Sequence, residues 1–407
     1  MIEQKRVAAE VLPPPTLRYG PLRWLRENLF STWYNTLLTL LCLWGLYAAL
    51  SALLEWAFTR ADWSVIPANL KLLLVGTYPA EMLWRVWAVL YFVVFLLGGS
   101  AGLWGSLLRD AVVALSAAFF LLALLPFGMS ERLLLAGLAL LGGGMMGAGW
   151  LLRRAARLQT WSKRILLGLW VLSPILVVVL VGGLPGSGWL PTVSTEKWGG
   201  LMLTFMLAIV GITTSFPLGV LLALGRRSEL PVVRWFSILY IEIIRGVPLV
   251  TVIFMASVML PLFLPGDTRV DQAVRAMTAF TLFTAAYIAE NVRGGLQNIP
   301  RGQYEAAHAL GLSHFWTTVF IVLPQALRAV IPANVGQFIS LFKDTSLVFV
   351  AALLDLFNIG RSILANPTWL AHDSEMLLFI ASVYFVFAYF MSRLSQRLER
   401  LLGVGER

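Results

Sequence analysis

The chain has 407 residues, of which 59% are hydrophobic and only 13% are charged. Because a soluble domain carries about 25% charged residues, this composition excludes an ordinary soluble enzyme, a disordered protein and a disulfide-rich secreted protein. The class that remains is a protein crossing a membrane several times, with lipid as its surroundings. The apolar positions form long unbroken runs without alternation, which predicts helices rather than the strands of a barrel.

The formal net charge is +10. In a membrane protein an excess of Lys and Arg is typical of cytoplasmic loops, so we interpret the charge as a topology signal and predict no nucleic-acid partner. Cys42 is the single cysteine, and the three histidines lack the spacing of metal ligands, so no metal site is predicted. Residues 1–32 hold several basic side chains before the first apolar run and are too long for a signal-peptide n-region, which predicts a cytoplasmic N-terminal arm.

Ten apolar runs approach the roughly 20 residues that a helix needs to cross the hydrocarbon core. These runs are Trp33–Phe58, Arg85–Leu103, Ala111–Phe127, Leu133–Trp150, Ile165–Leu184, Leu201–Leu224, Val233–Leu264, Ala276–Val292, Thr318–Phe342 and Met376–Met391. If the N-terminus is cytoplasmic, most of the 31 Lys and Arg residues fall in cytoplasmic segments. This distribution predicts about ten transmembrane helices, with both termini in the cytoplasm.

A cluster of helix breakers at residues 184–188 divides the chain. We expect residues 33–184 to form an N-terminal transmembrane extension of about five helices and residues 195–400 to form a second set of five. The extension carries the small-residue pairs Gly98/Gly102 and Gly143/Gly147, which either mark close helix packing or reflect the general frequency of glycine in membrane helices. Polar residues gather inside the spans of the second set, where we therefore expect the function to lie.

The eighth and ninth runs are separated by a polar stretch. Arg301–Leu310 contains helix-forming residues, and Gly311 follows at a position that suits a left-handed helix cap. The short helix carries a partly apolar face, formed by Tyr304, Ala307, His308 and Leu310. A helix without a core of its own needs a partner surface, which is either another protein or the lipid headgroups.

Three groups of residues in and after this stretch match a known signature. Glu305-Ala306-Ala307, then Gly311, then Ile321-Val322-Leu323-Pro324 resembles the EAA-x3-G-x9-I-x-LP signature of importer permeases of the ATP-binding-cassette superfamily. The segments 240–249, 290–296 and 343–347 resemble the polar amino-acid permeases of the histidine, glutamate and arginine group, and this likeness covers about residues 195–400. Residues 75–79 and 84–85 resemble the larger permease subunit of general or polar L-amino-acid systems.

The resemblance implies an all-α membrane protein with a type I importer permease core (residues 195–400) behind an N-terminal helical extension. It implies location in the bacterial inner membrane and a pathway for an amino-acid substrate. It also implies three kinds of partner, namely ATP-binding subunits, a second permease chain and an extracytoplasmic amino-acid-binding protein. The helix near residues 301–312 is then the coupling helix, which docks on the ATPase. The residues that the resemblance assigns to coupling are Arg301, Glu305, Ala306, Ala307, Gly311 and Pro324.

The sequence contains no Gly-Lys dipeptide and so lacks the P-loop that cradles nucleotide phosphates. We therefore expect no enzyme activity and no cofactor in this chain, with ATP and Mg bound by a partner ATPase. An ion-coupled secondary transporter of ten spans is the alternative function. It would need internal repeats and an ion site, which we do not find, and it leaves the signature unexplained.

Two polar stripes in the spans are candidates for the substrate pathway. Asn334, Gln337 and Ser340 recur every three residues and share one helix face, as do Tyr287 and Glu290. Polar side chains inside a membrane either line a cavity or form hydrogen bonds between helices, and both interpretations stay open.

The run Val233–Leu264 is too long for one span, and Gly246 and Pro248 can break it. Glu242 and Arg245 lie just before this break. They either belong to a site for a charged ligand group or form an ion pair with each other that fixes the elbow.

Overall fold

The computed structural model of the protein describes residues 20–263 and 270–403. These residues form two compact units that divide after Trp63. Apart from the two-residue strand β1 (Leu354–Asp355), which pairs with Gly199 and Gly200, the elements named in this part of the chain are helical. The predicted arm over residues 1–32 lies mostly outside the described residues, as does the end of the seventh predicted run.

The first unit contains two helices, α1 (Pro21–Asn28) and α2 (Trp33–Glu55). Helix α2 begins after Thr32, whose side chain accepts a hydrogen bond from the backbone N–H of Asn35. It continues into a π-helical turn over Trp56–Arg60. Helix α2 contributes no buried residue to the described unit, so its apolar side chains are presented outward all round.

The second unit contains the remaining helices. In chain order they are α3 (Val65–Ala68), α4 (Leu70–Val75), α5 (Leu83–Trp104), α6 (Ser106–Ala123), α7 (Met129–Leu152), α8 (Ala156–Gly182), α9 (Gly200–Arg226), α10 (Pro231–Gly246), α11 (Leu249–Phe254), α12 (Leu260–Phe263), α13 (Gln272–Gln297), α14 (Arg301–Ala309), α15 (His314–Trp316), α16 (Leu323–Asp344), α17 (Leu356–Leu364) and α18 (Asp373–Leu402). A π-helical turn over Thr317–Val322 joins α15 to α16, and a 3₁₀ stretch over Thr345–Ala351 follows α16.

Within the described ranges, 7 helices are long and apolar enough to cross a membrane, or 8 if the bent pair formed by α10 and α11–α12 is one span. Every predicted run coincides with helix, since α6 and α13 occupy the third and eighth runs. The all-helical membrane fold is thus confirmed, whereas the count of ten spans is not. Helix α13 carries charged side chains at positions 275, 290 and 293, which makes it less apolar than the others.

The predicted break in the seventh run is confirmed. Helices α10 and α11–α12 meet at a bend of 108°. Val247 adopts extended backbone angles and Pro248 precedes the first residue of α11. The physical reason is that proline excludes the helical conformation from the residue before it and lacks an N–H for the helix ladder.

Close glycine packing joins α5 to α7, as the first predicted glycine pair requires. A Cβ atom on Gly98 would lie 2.8 Å from the carbonyl oxygen of Gly142, and one on Gly102 would lie 2.6 Å from that of Met146. Both distances are too short for a real side chain. The two helices therefore touch backbone to backbone, which glycine alone permits.

The second predicted pair, Gly143 and Gly147, does not take part in this packing, because a Cβ atom on either residue would meet open space. On α7, Gly137 and Gly149 face α5, and Gly142 lies between Ser116 of α6 and Val94 of α5. Helical phase explains the difference, since adjacent residues point about 100° apart. Of the two interpretations left open by the sequence, close packing therefore applies to Gly98 and Gly102 and not to Gly143 and Gly147.

Helix α13 lies at the centre of the second unit, against α9, α10 and α16. Its buried face consists largely of alanines between positions 273 and 289, which allow close approach. A Cβ atom on Gly219 of α9 would lie 2.7 Å from the side chain of Ile288. This contact aligns the ends of α9 and α13 that lead toward α14.

Two buried polar side chains, Asp355 and Arg85, make hydrogen bonds that join separate segments of the second unit. Asp355, 0% exposed, caps α17 by accepting the backbone N–H of Asn358 at 3.1 Å and accepts the hydroxyl of Tyr384 at 2.8 Å. Burial raises the pKa of the Asp355 carboxyl, against the lowering effect of these hydrogen bonds. The guanidinium of Arg85, 1% exposed, donates to the carbonyl oxygen of Pro191 at 2.9 Å.

Candidate functional site

The short helix predicted from the sequence is present as α14, and its end is tightly capped. Gly311 has φ +80°. The N–H of Gly311 donates to the carbonyl oxygen of His308 at 2.9 Å, and the N–H of Leu312 donates to that of Ala307 at 3.1 Å. This pair of bonds is a Schellman motif, which satisfies the last carbonyls of the helix and requires a left-handed residue. The predicted helix and its glycine cap are confirmed.

Helix α14 presents one face to the protein and leaves the other uncovered. Ala307 is 3% exposed, and Tyr304 packs against the core formed by α9, α13 and α16. Arg301, Glu305 and Ala306 are exposed. The predicted coupling residues thus divide into a packing position at Ala307, a cap at Gly311 and an exposed surface around Glu305. Leu310, which the sequence placed on the partly apolar face together with Tyr304 and Ala307, is 82% exposed at the end of the helix.

Two side-chain contacts hold α14 to neighbouring helices. Arg227, just after α9, donates from Nη1 to the hydroxyl oxygen of Tyr304 at 3.2 Å. Gln325 of α16 donates from Nε2 to Oε1 of Gln303 at 3.1 Å. Pro324 lies in the first turn of α16, directly after the π-helical turn over Thr317–Val322 that joins α15 to α16. Helix α14 is therefore attached both to the end of α9 and to α16.

A cluster of charged side chains lies at the same end of the bundle. We define the inner charge cluster as Arg226, Glu242, Arg245, Glu290 and Arg293. Arg226 Nη1 lies 2.9 Å from Glu242 Oε1 and 3.7 Å from Glu290 Oε2. Arg245 Nη1 lies 3.6 Å from Glu290 Oε2, and Arg293 Nε donates to the same oxygen at 2.9 Å. Three guanidinium groups from three helices thus surround the carboxylate of Glu290.

Glu242 and Arg245 do not form the local ion pair that was one of the two predicted arrangements. Glu242 pairs with Arg226 of α9, and Arg245 pairs with Glu290 of α13. The guanidinium of Arg245 also lies 5.6 Å from the ring centroid of Tyr287. The tertiary packing of α10 across α9 and α13 supplies these partners, and the spacing of residues along one helix does not reveal them.

The stripe on α16 separates into two kinds of position. Asn334 is 3% exposed, and its side-chain oxygen accepts a hydrogen bond from Asn291 Nδ2 of α13 at 3.0 Å. It therefore makes the interhelical hydrogen bond that the sequence left open as the second interpretation. Gln337 and Ser340 are half-buried further along the helix.

Sequence reasoning missed Arg226 and Arg227, which it counted among the basic residues of a cytoplasmic loop, and it assigned no contact to Arg293. Their contacts arise from the packing of α9 against α13, where Gly219 meets Ile288, and no pattern in the sequence indicates that packing. From the described part of the chain, no group of three or more His, Cys, Asp or Glu residues is placed to hold a metal ion.

A helical protein with many membrane spans, whose bundle ends in a short capped helix beside a charge cluster, has the features of a membrane permease subunit. Residues 215–404 match the family described as "Binding-protein-dependent transport system inner membrane component". The chain is 38% identical over 397 residues to the inner membrane amino-acid ABC transporter permease protein YhdY of Escherichia coli K12, covering 94% of this chain and 93% of the relative. The chain belongs to the family of binding-protein-dependent amino-acid ABC transporter permeases.

Other relatives agree. The chain is 37% identical over 447 residues to the glutamate/glutamine/aspartate/asparagine transport system permease protein BztC of Rhodobacter capsulatus, covering 99% of both chains. A crystal structure of an amino acid ABC transporter with histidines aligns over 49% of this chain and 91% of its own, with 29% identity and a TM-score of 0.45. The match to BztC includes the region before residue 195, so that relative shares the N-terminal extension. The predicted family and function, a permease subunit of an amino-acid ABC importer, are confirmed.

Proposed function

We propose that this chain is one of two permease chains of an importer in the bacterial inner membrane, with α14 as its coupling helix. ATP, with Mg, is hydrolysed by partner subunits, and an extracytoplasmic binding protein delivers the amino acid. The observation that carries the proposal is α14 itself, a capped helix with Glu305 on an uncovered face. A surface of this kind needs a partner, and we propose that this partner is the ATP-binding subunit of the importer.

Within α14, the residues have different proposed roles. Arg301, Glu305 and Ala306 contact the ATPase, because they occupy the exposed face. Ala307 packs the helix onto the bundle, and Gly311 sets the turn after it. Pro324 lies in the first turn of α16, the span through which a displacement of α14 reaches the pathway.

The proposed pathway runs beside α13 and α16. Gln337 and Ser340 from α16 and Tyr287 from α13 are half-buried, which is suited to lining a cavity completed by the second permease chain. A zwitterion that leaves water needs fixed polar groups in place of its hydration shell. Amide and hydroxyl groups can hold both of its ends and still release it. Asn334 supports this wall through its bond to Asn291.

The proposed substrates are polar amino acids, including acidic ones. Two relatives are named for the transport of glutamate and aspartate, and one of them also for glutamine and asparagine. The inner charge cluster supports the same class, because it has three guanidinium groups against two carboxylates. Guanidinium groups favour carboxylates through paired, charge-assisted hydrogen bonds.

The proposed orientation places α14 and both termini in the cytoplasm. The excess of Lys and Arg in the corresponding segments supports it. With this orientation the inner charge cluster lies at the cytoplasmic end of the pathway, close to the ATPase.

Copurification and uptake together test the proposal. The chain, tagged and expressed with the transport genes beside its own, is expected to retain an ATP-binding protein and a second permease through detergent extraction. Proteoliposomes of that complex, supplied with the binding protein, are expected to accumulate radiolabelled L-glutamate or L-glutamine only with internal ATP. Accumulation that needs an ion gradient and no ATP would contradict the proposal and favour a secondary transporter.

A further inference from the structure

The contact between Arg227 and Tyr304 joins the coupling helix to the end of α9. Arg227 Nη1 donates to the Tyr304 hydroxyl at 3.2 Å, and the guanidinium carbon lies 5.9 Å from the ring centroid. The ring of Tyr304 packs against the same core as α9 and α13. One side chain of α14 therefore touches both the bundle interior and an arginine beyond the last turn of α9.

The neighbour of Arg227 makes a different connection. Arg226 reaches Glu242 of α10 at 2.9 Å and Glu290 of α13 at 3.7 Å. Consecutive residues on a helix point about 100° apart, so one arginine faces α14 and the other faces the inner charge cluster. The backbone N–H groups of Arg227 and Ser228 donate to the carbonyl oxygens of Leu224 and Gly225 at 3.0 Å each, which closes the end of α9 as a firm turn.

We propose that Arg227 is a positioning residue that transmits displacement of the coupling helix, through the end of α9 and Arg226, to the inner charge cluster. This inference rests on the proposed function, because it requires that α14 moves with the ATPase. When α14 moves, the Arg227–Tyr304 contact draws the end of α9 with it, and Arg226 changes its distance to the two carboxylates.

Glu290 makes the cluster sensitive to such a displacement. Its carboxylate is shared by Arg226 of α9, Arg245 of α10 and Arg293 of its own helix. Movement of α9 removes one of three positive partners, so the remaining pairs must rearrange. The cluster then has two states. In the first, the ends of α9, α10 and α13 are held together; in the second, they are apart. The amino acid leaves the pathway in the second state.

The test compares substrate-stimulated with basal ATP hydrolysis in the complete complex. Tyr304→Phe keeps the ring and removes the hydroxyl acceptor, and Arg227→Gln removes the charge. Each is expected to lower the ratio of stimulated to basal hydrolysis by about tenfold, a typical size for coupling between sites. Arg227→Lys, which keeps the charge, is expected to restore part of the ratio. Because both changes break one contact, the double variant is expected to be no worse than either single variant.

Arg234→Gln is the matched control, since Arg234 is an exposed arginine on α10, outside the inner charge cluster. It is expected to leave the ratio unchanged, and all variants are expected to assemble in normal yield. A normal ratio in Tyr304→Phe and Arg227→Gln, or additive losses in the double variant, would overturn the inference while leaving the proposed function intact. A wild-type complex without stimulation by any amino acid would instead overturn the proposed function.

Discussion

At the scale of single residues, Gly311 has the most clearly defined structural role, because its backbone ends α14, the proposed coupling helix, at φ +80°. A side chain in the left-handed region costs roughly 1–2 kcal/mol, and more when it is β-branched. No atom lies within 4 Å of a Cβ placed there, so the conformation alone restricts the position.

Replacing Gly311 with Val is therefore expected to unwind the end of α14 and to abolish most substrate-stimulated ATP hydrolysis in the assembled complex. Gly311→Asn, which tolerates positive φ, is expected to retain it. Gly302→Ala serves as the control within the same helix, since Gly302 has open space and no positive φ. Normal stimulation in Gly311→Val would show that the cap does not matter for coupling.

Asn334 and Gln337 of α16 are expected to respond differently to the same change. Asn334→Leu leaves the amide of Asn291 without its partner, at a cost of about 1–3 kcal/mol for a buried unpaired group. We expect lower complex yield and a lower melting temperature, with uptake falling in proportion to yield. Gln337→Leu is expected to reduce uptake per assembled complex without changing yield. If Asn334→Leu instead lowered uptake per complex and Gln337→Leu lowered yield, then Asn334 would line the pathway and Gln337 would support it.

At the scale of elements, the contact between α5 and α7 depends on glycine backbones. A Cβ atom on Gly102 would lie 2.7 Å from the Cα of Gly149 and 2.6 Å from the carbonyl oxygen of Met146. Because these atoms belong to the backbone, they cannot yield by rotating a side chain. A single methyl group added at this contact would therefore force α5 and α7 apart.

Gly102→Val is expected to destabilise the extension by about 1–3 kcal/mol, the usual range for overpacking. A Cβ atom on Gly147 would have no other atom within 4 Å, so Gly147→Ala is expected to leave stability unchanged. Thermal unfolding of the purified complex, followed by intrinsic tryptophan fluorescence, measures both. Equal melting temperatures for Gly102→Val and wild type would contradict the close contact.

The elements that the sequence predicted well are those governed by local rules. Hydrophobic length located the helices, proline and glycine located the bend after α10, and the turn chemistry of Gly311 located the end of α14. The partners of Glu242 and Arg245 could not be predicted, since they come from the packing of α10 against α9 and α13. The glycine face of α7 was missed for a related reason, because spacing gives a helical face without saying which face meets a neighbour.

At the scale of the whole molecule, the extension and the permease core belong to one compact unit from residue 64 onward. Arg397 of α18 and Asp110 of α6 form an ion pair at 2.7 Å between these two parts. The arginines pull the pKa of the exposed Asp110 carboxyl below its usual value. From residue 64 onward, the extension thus packs beside the core, and the residues proposed for the pathway all lie in the core.

Whether the bent pair formed by α10 and α11–α12 crosses the membrane decides on which side the segments after it lie. If it crosses the membrane once, and α9 and α13 cross once each, three spans separate Gly188 from Gly302, and the two residues lie on opposite sides. In a Cys42→Ser background, Gly188→Cys is expected to react with a membrane-impermeant maleimide in intact spheroplasts. Gly302→Cys is expected to react only after permeabilisation. Labelling of both positions from the same side would show that the pair re-enters without crossing.

The most direct test of the account measures ATP-driven uptake of a mixture of radiolabelled amino acids by the reconstituted complex, with wild-type chain and with Glu305→Lys. The variant reverses the charge on the uncovered face of α14 without touching the bundle. The account predicts that wild type accumulates at least one polar amino acid in an ATP-dependent manner, and that Glu305→Lys assembles normally but transports none. Undiminished uptake by Glu305→Lys, or wild-type uptake that does not require ATP, would contradict it.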